Sequence, residues 1–206
     1  MKRIVLTDRD NNIIEFLQIY KCATTSTLAN IFFNGSKRPC SRRLKHLREH
    51  GFINSSQEFV CLEQIHYINK KPTQLKHSTI LTNFIGLLYL NNVEVLKTKV
   101  EYSIEHLRSD MLLVCKINGK TQIFFIEVCN TKKFDIKKYI KLKESLKWKN
   151  TFPIFPNLIV ISNKHVEKDK SLNIITLDLE LSNFNTLIEY VYTYSIFSSQ
   201  YKSIVY

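Results

Sequence analysis

An Asn-Gly pair between two apolar runs limits the folds open to this 206-residue chain more than any other feature. Met111 to Ile117 and Thr121 to Val128 are the runs, and Asn118-Gly119 lies between them. Asn-Gly accepts the positive φ angles of the tight turn that matches strand twist, so the pattern predicts a β-hairpin. A two-residue loop fixes the register. Asp110 then falls opposite Glu127 and Arg108 opposite Cys129, and strand alternation puts all four on one face. Carboxylates that face each other across a ladder repel. This pair therefore needs a metal ion, a proton or a cation such as Arg108.

The flanking segments complete an α/β arrangement. Leu75 to Asn91 is a mostly apolar helix, and Phe134 to Trp148 a lysine-rich one. Leu158–Ile161 and Ile174–Leu177 read as buried strands, and Asn183 to about Tyr194 as a final helix or extended segment. This order is similar to the restriction-endonuclease-like fold. The motif of that fold is an Asp at the start of one strand and Glu-x-Lys near the end of the next. Asp110 and Glu127 match, but Cys129 stands where the lysine belongs. The resemblance implies carboxylates that hold a divalent ion and a lysine that positions water and stabilises developing charge. Cysteine does neither well, so the expectation is a catalytically silent domain without a cofactor. The alternative is an active site of Asp110 and Glu127 with Mg²⁺ or Mn²⁺, completed by Lys132, Lys133 or Lys137 from the following helix.

The first seventy residues differ in character. Thr7 caps a helix from Asp8, with Asp10 completing a weak capping box, and Ile13, Phe16, Leu17 and Tyr20 repeat at helical spacing. Thr24 to Ser26 caps a second helix that ends at Asn34-Gly35. A third runs from Ser36 and stops at Gly51. On its wheel Cys40, Leu44 and Leu47 fall on one side. Arg38, Arg42, Lys45 and His46 fall on the other, with Ser41 and Arg43 on the flanks. Two short strands around a turn follow, in the stretch that runs from Phe52 through Phe59–Leu62 to Ile68. Three helices and a β-ribbon with a basic third helix read as a winged helix-turn-helix, whose third helix enters the major groove. The candidate DNA contacts there are Lys37, Arg38, Ser41, Arg42, Arg43, Lys45 and His46, with Ser55 on a wing near Asn54–Glu58. The expected fold is therefore α+β or α/β: a winged helix-turn-helix over 1–73, then a nuclease-like α/β domain over 74–206.

Charge supports an anionic partner. The net charge is +12, of which residues 1–53 hold +6 and residues 132–149 another +6. The second zone adds Lys132, Lys133, Lys137 and Lys138 as candidate backbone contacts. The five cysteines are not at metal-ligand spacing and read as free thiols in a reducing compartment. The opening MKRIVLTDRD turns polar too early for a signal peptide, and the apolar run near Ile80–Leu90 is too short to span a bilayer. A cytoplasmic protein without membrane contact is expected.

Several stretches in order resemble the replication-relaxation family of plasmids and integrative elements: LTDRDNNIIEFLQIYKCATTSTLANIFF, RRLKHLREHGFI, LKHSTILTNF, SDMLLV and FFIEV. The resemblance implies a winged-helix N-terminus, a nuclease-like second half and work at plasmid or transfer origins. The expected partners are double-stranded DNA and a relaxase, with a homodimer as a further expectation. A transcriptional regulator of the same element and a metal-dependent DNA endonuclease are the alternatives.

Overall fold

Thr7 and Asp10 start the first helix by bonding across its first turn. The Thr7 backbone N–H donates to Asp10 Oδ2 at 2.7 Å, and the Asp10 N–H donates to Thr7 Oγ1 at 3.4 Å. This is the capping box the sequence predicts. The computed structural model describes residues 5–57 and 62–191. It is a mixed α+β structure of two units, Met1–Asn92 and Val93–Tyr206.

In the first unit, α1 (Asp8–Tyr20) buries Ile13, Phe16, Leu17 and Tyr20. The short strand β1 (Cys22–Thr24) leads into α2 (Thr25–Phe32), whose Thr27 N–H is capped by Thr24 Oγ1 at 3.1 Å. Next comes α3 (Lys37–Glu49), which buries Cys40, Leu44 and Leu47. It ends in a Schellman motif: the Gly51 N–H donates to Arg48 O at 3.0 Å and the Phe52 N–H to Leu47 O at 2.9 Å, with Gly51 at φ +77°. Strands β2 (Asn54–Ser56) and β3 (Ile65–Tyr67) close an antiparallel sheet in the order β1-β3-β2. Polar Asn54–Ser56 is thus itself a strand. Of the expected apolar run Phe59–Leu62, residues 59–61 lie outside the described residues, and Leu62 is exposed at a bend.

Helix α4 (Leu75–Leu90) belongs to this first unit, so the boundary falls at 92/93 rather than at the expected 73/74. Its Asn83 Oδ1 accepts from Thr27 Oγ1 at 2.6 Å and Thr24 Oγ1 at 3.2 Å. At Gly86 a Cβ would sit 3.2 Å from the Thr27 Cα, so the absent side chain lets the two helix backbones approach. The apolar surface of α4 is buried against α2 and β1.

In the second unit, β4 (Glu94–Ile104), β5 (Leu107–Ile117) and β6 (Lys120–Val128) are antiparallel neighbours. The β5–β6 turn is Asn118-Gly119, at φ +53° and +74°, and the ladder runs from Ile117↔Lys120 to Met111↔Ile126. Helix α5 (Lys137–Ser145) is shorter than expected. It stops at Leu146, φ +57°, and a 3₁₀ turn follows at Lys147–Asn150. Strands β7 (Asn157–Ile161) and β8 (Ile174–Leu177) add in parallel, giving the sheet order β4-β5-β6-β7-β8. Tyr139 and Leu142 of α5 pack on Leu112, Phe125 and Leu158 of one sheet face. Of the expected final segment, residues 185–191 are helical, and 192–194 lie outside the described residues. Among the described residues no helix is long and apolar enough to cross a membrane. Cys22, Cys40, Cys115 and Cys129 are buried and free, and Cys61 lies outside the described residues.

Candidate nucleic-acid interface and acidic pair

The amphipathic pattern of α3 sorts its cations. With Cys40, Leu44 and Leu47 inward, Lys37, Arg38, Ser41, Arg42, Lys45 and His46 are exposed. Lys37 lies 3.7 Å from Glu63 and Lys45 3.8 Å from Glu49, both loose surface pairs that a phosphate can displace.

Arg43 departs from its expected role. Its Nε donates to Asp10 Oδ1 at 2.8 Å, its Nη2 to Asp10 Oδ2 at 2.5 Å, and Nη2 also reaches the Val5 carbonyl at 3.1 Å. Asp10 is fully buried. Burial alone would raise its carboxyl, but hydrogen bonds from Arg43 and Thr7 outweigh that and hold it at about 2. Arg43 is thus a tether from α3 to α1 rather than a free cation, because the buried carboxylate needs both arms of its fork. Ser55 is likewise engaged: its Oγ accepts from Arg48 Nη1 at 2.9 Å, which fixes β2 to the last turn of α3.

The sequence reading missed two cations of this unit, Arg48 and Arg9. The Arg9 guanidinium lies 4.7 Å from the centre of the Phe33 ring. It lines a surface cavity of about 370 Å³ together with Arg42, Arg43, His46 and Asp10.

In the second unit the hairpin delivers the two carboxylates. Alternation puts Asp110 and Glu127 on the face of Leu112 and Phe125, under α5. Asp110 lies one step beyond the last ladder pair, and its Oδ2 accepts the Val128 N–H at 2.7 Å. Glu127 is buried, and its Oε1 accepts from Lys138 Nζ at 2.7 Å and from the Tyr139 hydroxyl. Lys138 Nζ also donates to the Arg108 carbonyl at 3.3 Å. Burial pushes the Glu127 carboxyl up, Lys138 draws it down, and Asp110 pushes it up again. Burial and Glu127 together drive the Tyr139 hydroxyl well above its ordinary value.

The cation beside the pair is therefore Lys138, not Arg108. The Arg108 guanidinium turns to Glu101 of β4, 2.9 Å away, because that strand lies alongside with a carboxylate of its own. Lys132, Lys133 and Lys137, the candidates to complete an active site under the alternative reading, are exposed. Cys129 packs with Val160 and Val166, and burial lifts its thiol to about 11, so it is an inert wall residue. Two carboxylates and an ammonium are thus gathered at one end of β6. Among the described residues no group of three or more His, Cys, Asp or Glu side chains could hold a metal ion. A divalent ion at the pair would draw its other ligands from water and phosphate.

No family model and no curated protein matches the chain. Among solved structures the chain is similar to the restriction endonuclease FokI bound to DNA, at 10% identity and a TM-score of 0.31. The match covers 92% of this chain and 47% of that one, so the chain spans about half the length of that protein.

Proposed function

We propose that this chain binds double-stranded DNA, placing the exposed face of α3 in the major groove. The observation that carries the reading is the sorting of α3: three apolar residues are buried, and Arg38, Arg42, Lys45 and His46 face out. The order α1-β1-α2-α3-β2-β3 with sheet order β1-β3-β2 supports a winged helix-turn-helix, in which β2 and β3 frame the wing. The resemblance to the replication-relaxation family supports a place of action at a transfer or replication origin of a mobile element, assisting a relaxase. A footprint confined to a promoter would move the role to transcriptional control. The binding itself is tested by gel shift with Arg38, Arg42 and Lys45 all changed to Ala. The triple variant should lose duplex binding, and unchanged affinity for every duplex would sink the assignment.

One observation favours a second reading, that of a metal-dependent DNA endonuclease. Lys138 brings an ammonium to Glu127, the charge that Cys129 cannot supply. The β4–β8 sheet with α5 on one face supports a restriction-endonuclease-like domain. In this reading Asp110 and Glu127 would hold Mg²⁺ or Mn²⁺, which supplies Lewis-acid activation. Lys138 holds Glu127 in place and offers positive charge near the site. Incubation of supercoiled DNA with either ion tests it. Nicking that disappears in both Lys138→Ala and Asp110→Ala/Glu127→Ala supports the enzyme. Its absence in the wild type leaves a silent domain.

A further inference from the structure

The cavity between the first turn of α1 and the outer side of α3 has no assigned occupant. We propose that it seats one backbone phosphodiester of duplex DNA, with Arg9 and Arg42 as the charged donors and His46 beside them. The inference rests on the DNA-binding reading and adds a site to it.

Charge is the first argument. Asp10 is the one carboxylate of the lining, and Arg43 and Thr7 occupy both of its oxygens. The Asp10–Arg43 pair is therefore neutral as a unit. Arg9 and Arg42 remain, and among the described residues neither lies within ion-pair distance of a carboxylate. The cavity is thus net positive, with its single acid already satisfied.

Geometry is the second. Arg42 and His46 are four residues apart on α3, so they sit one turn above another on the same face. Arg9 comes from a different helix, α1, and its guanidinium is held over Phe33 at 4.7 Å. A guanidinium kept in place by an aromatic face loses less freedom when it binds. Its flat fork matches two phosphate oxygens, which an ammonium cannot do. The Asp10–Arg43 tether fixes the spacing between the two helices that carry these donors.

The consequence concerns Arg42. Sequence placement on the outer face makes it a candidate reader of a guanine edge. Its position in the lining, beside an arginine from another helix, assigns it to the backbone instead. Arg38 and Lys45, which do not line the cavity, are left for the base edges. The subsite would set the depth and register of α3 and carry no sequence information.

The test measures fluorescence anisotropy of the full chain with two labelled duplexes of unrelated sequence over a KCl series, for wild type, Arg9→Ala, Arg42→Ala and Phe33→Leu. Arg9→Ala and Arg42→Ala should each weaken both duplexes by the same factor and lower the slope of log Kd against log salt, by about one in total when both are changed, since they share one phosphate. Phe33→Leu keeps the charge, so it should weaken binding with the slope unchanged. Wild-type affinity and slope in Arg9→Ala, or a loss in Arg42→Ala confined to one duplex, overturns the subsite while the DNA reading stands. A wild type that binds neither duplex at low salt overturns both.

Discussion

Lys138 Nζ sits 2.7 Å from Glu127 Oε1, joining the first turn of α5 to the end of β6. Each partner answers a need of the other. Glu127 is buried on a strand whose other residues from Ile123 onward are apolar, and Lys138 is the cation that lies within reach. Removing the lysine leaves a buried carboxylate beside Asp110 with one neutral donor, Tyr139.

Lys138→Ala should therefore destabilise the second unit by about 1–3 kcal/mol at neutral pH. The sign of its pH dependence follows from the raised Glu127 carboxyl. A carboxylate whose folded value lies above its unfolded one contributes stability below the unfolded value and loses it as pH rises through the folded one. Loss of Lys138 raises the folded value further. The penalty should then be small near pH 4 and grow as pH rises, a trend that urea melts across the range would show. A penalty independent of pH would mean that Glu127 does not sense Lys138.

The lysine also marks where sequence reading reaches its limit. The alternation of β5 and β6 and the Asn118-Gly119 loop carry the register from Ile117↔Lys120 to Met111↔Ile126 with little ambiguity, because local turn geometry decides it. The caps at Thr7 and Gly51 are local in the same way. Which lysine meets Glu127 depends on where α5 begins. The helix starts at Lys137 rather than at Phe134, and each residue turns the helix by about 100°. Strand β1 has three residues and no readable period. Strand β4 is different, since Val100, Tyr102 and Ile104 alternate with Lys99, Glu101 and Ser103. That period-two signal was available, and with it the Glu101 that draws Arg108 away.

The Asp10–Arg43 pair predicts a second effect of pH. Asp10 is lowered from 3.8 to about 2, so its contribution is fully present above about pH 4 and is lost as pH falls through 2. That shift corresponds to about 2 kcal/mol. Arg43→Ala strands the buried carboxylate and should cost about 3 kcal/mol at pH 7. Arg43→Lys should recover only part, because an ammonium cannot serve both oxygens in the same plane. Acid unfolding followed by circular dichroism checks both. A wild-type acid midpoint in Arg43→Ala would show that the pair does not hold α1 to α3.

The last prediction concerns the lysine-rich segment. It holds half of the net charge, and its lysines divide by what they touch. Lys138 is committed to Glu127, Lys143 to the Ser171 carbonyl and Lys147 to Glu105, and Lys149 lies over the Trp148 ring, 6.0 Å from its centre. Lys132, Lys133, Lys137 and Lys141 are exposed, and among the described residues no carboxylate lies within ion-pair distance of them. A second anion-binding surface should therefore use these four, with Lys138 withdrawn from the set that composition alone suggests. Changing all four to Glu should shorten the DNA footprint and lower the salt slope by about one for each phosphate no longer neutralised. Lys138→Ala should leave both unchanged while lowering stability. Identical footprints and slopes in wild type and the four-site variant would make the segment an ordinary solvated face. A footprint shortened by Lys138→Ala alone would return that lysine to the DNA surface.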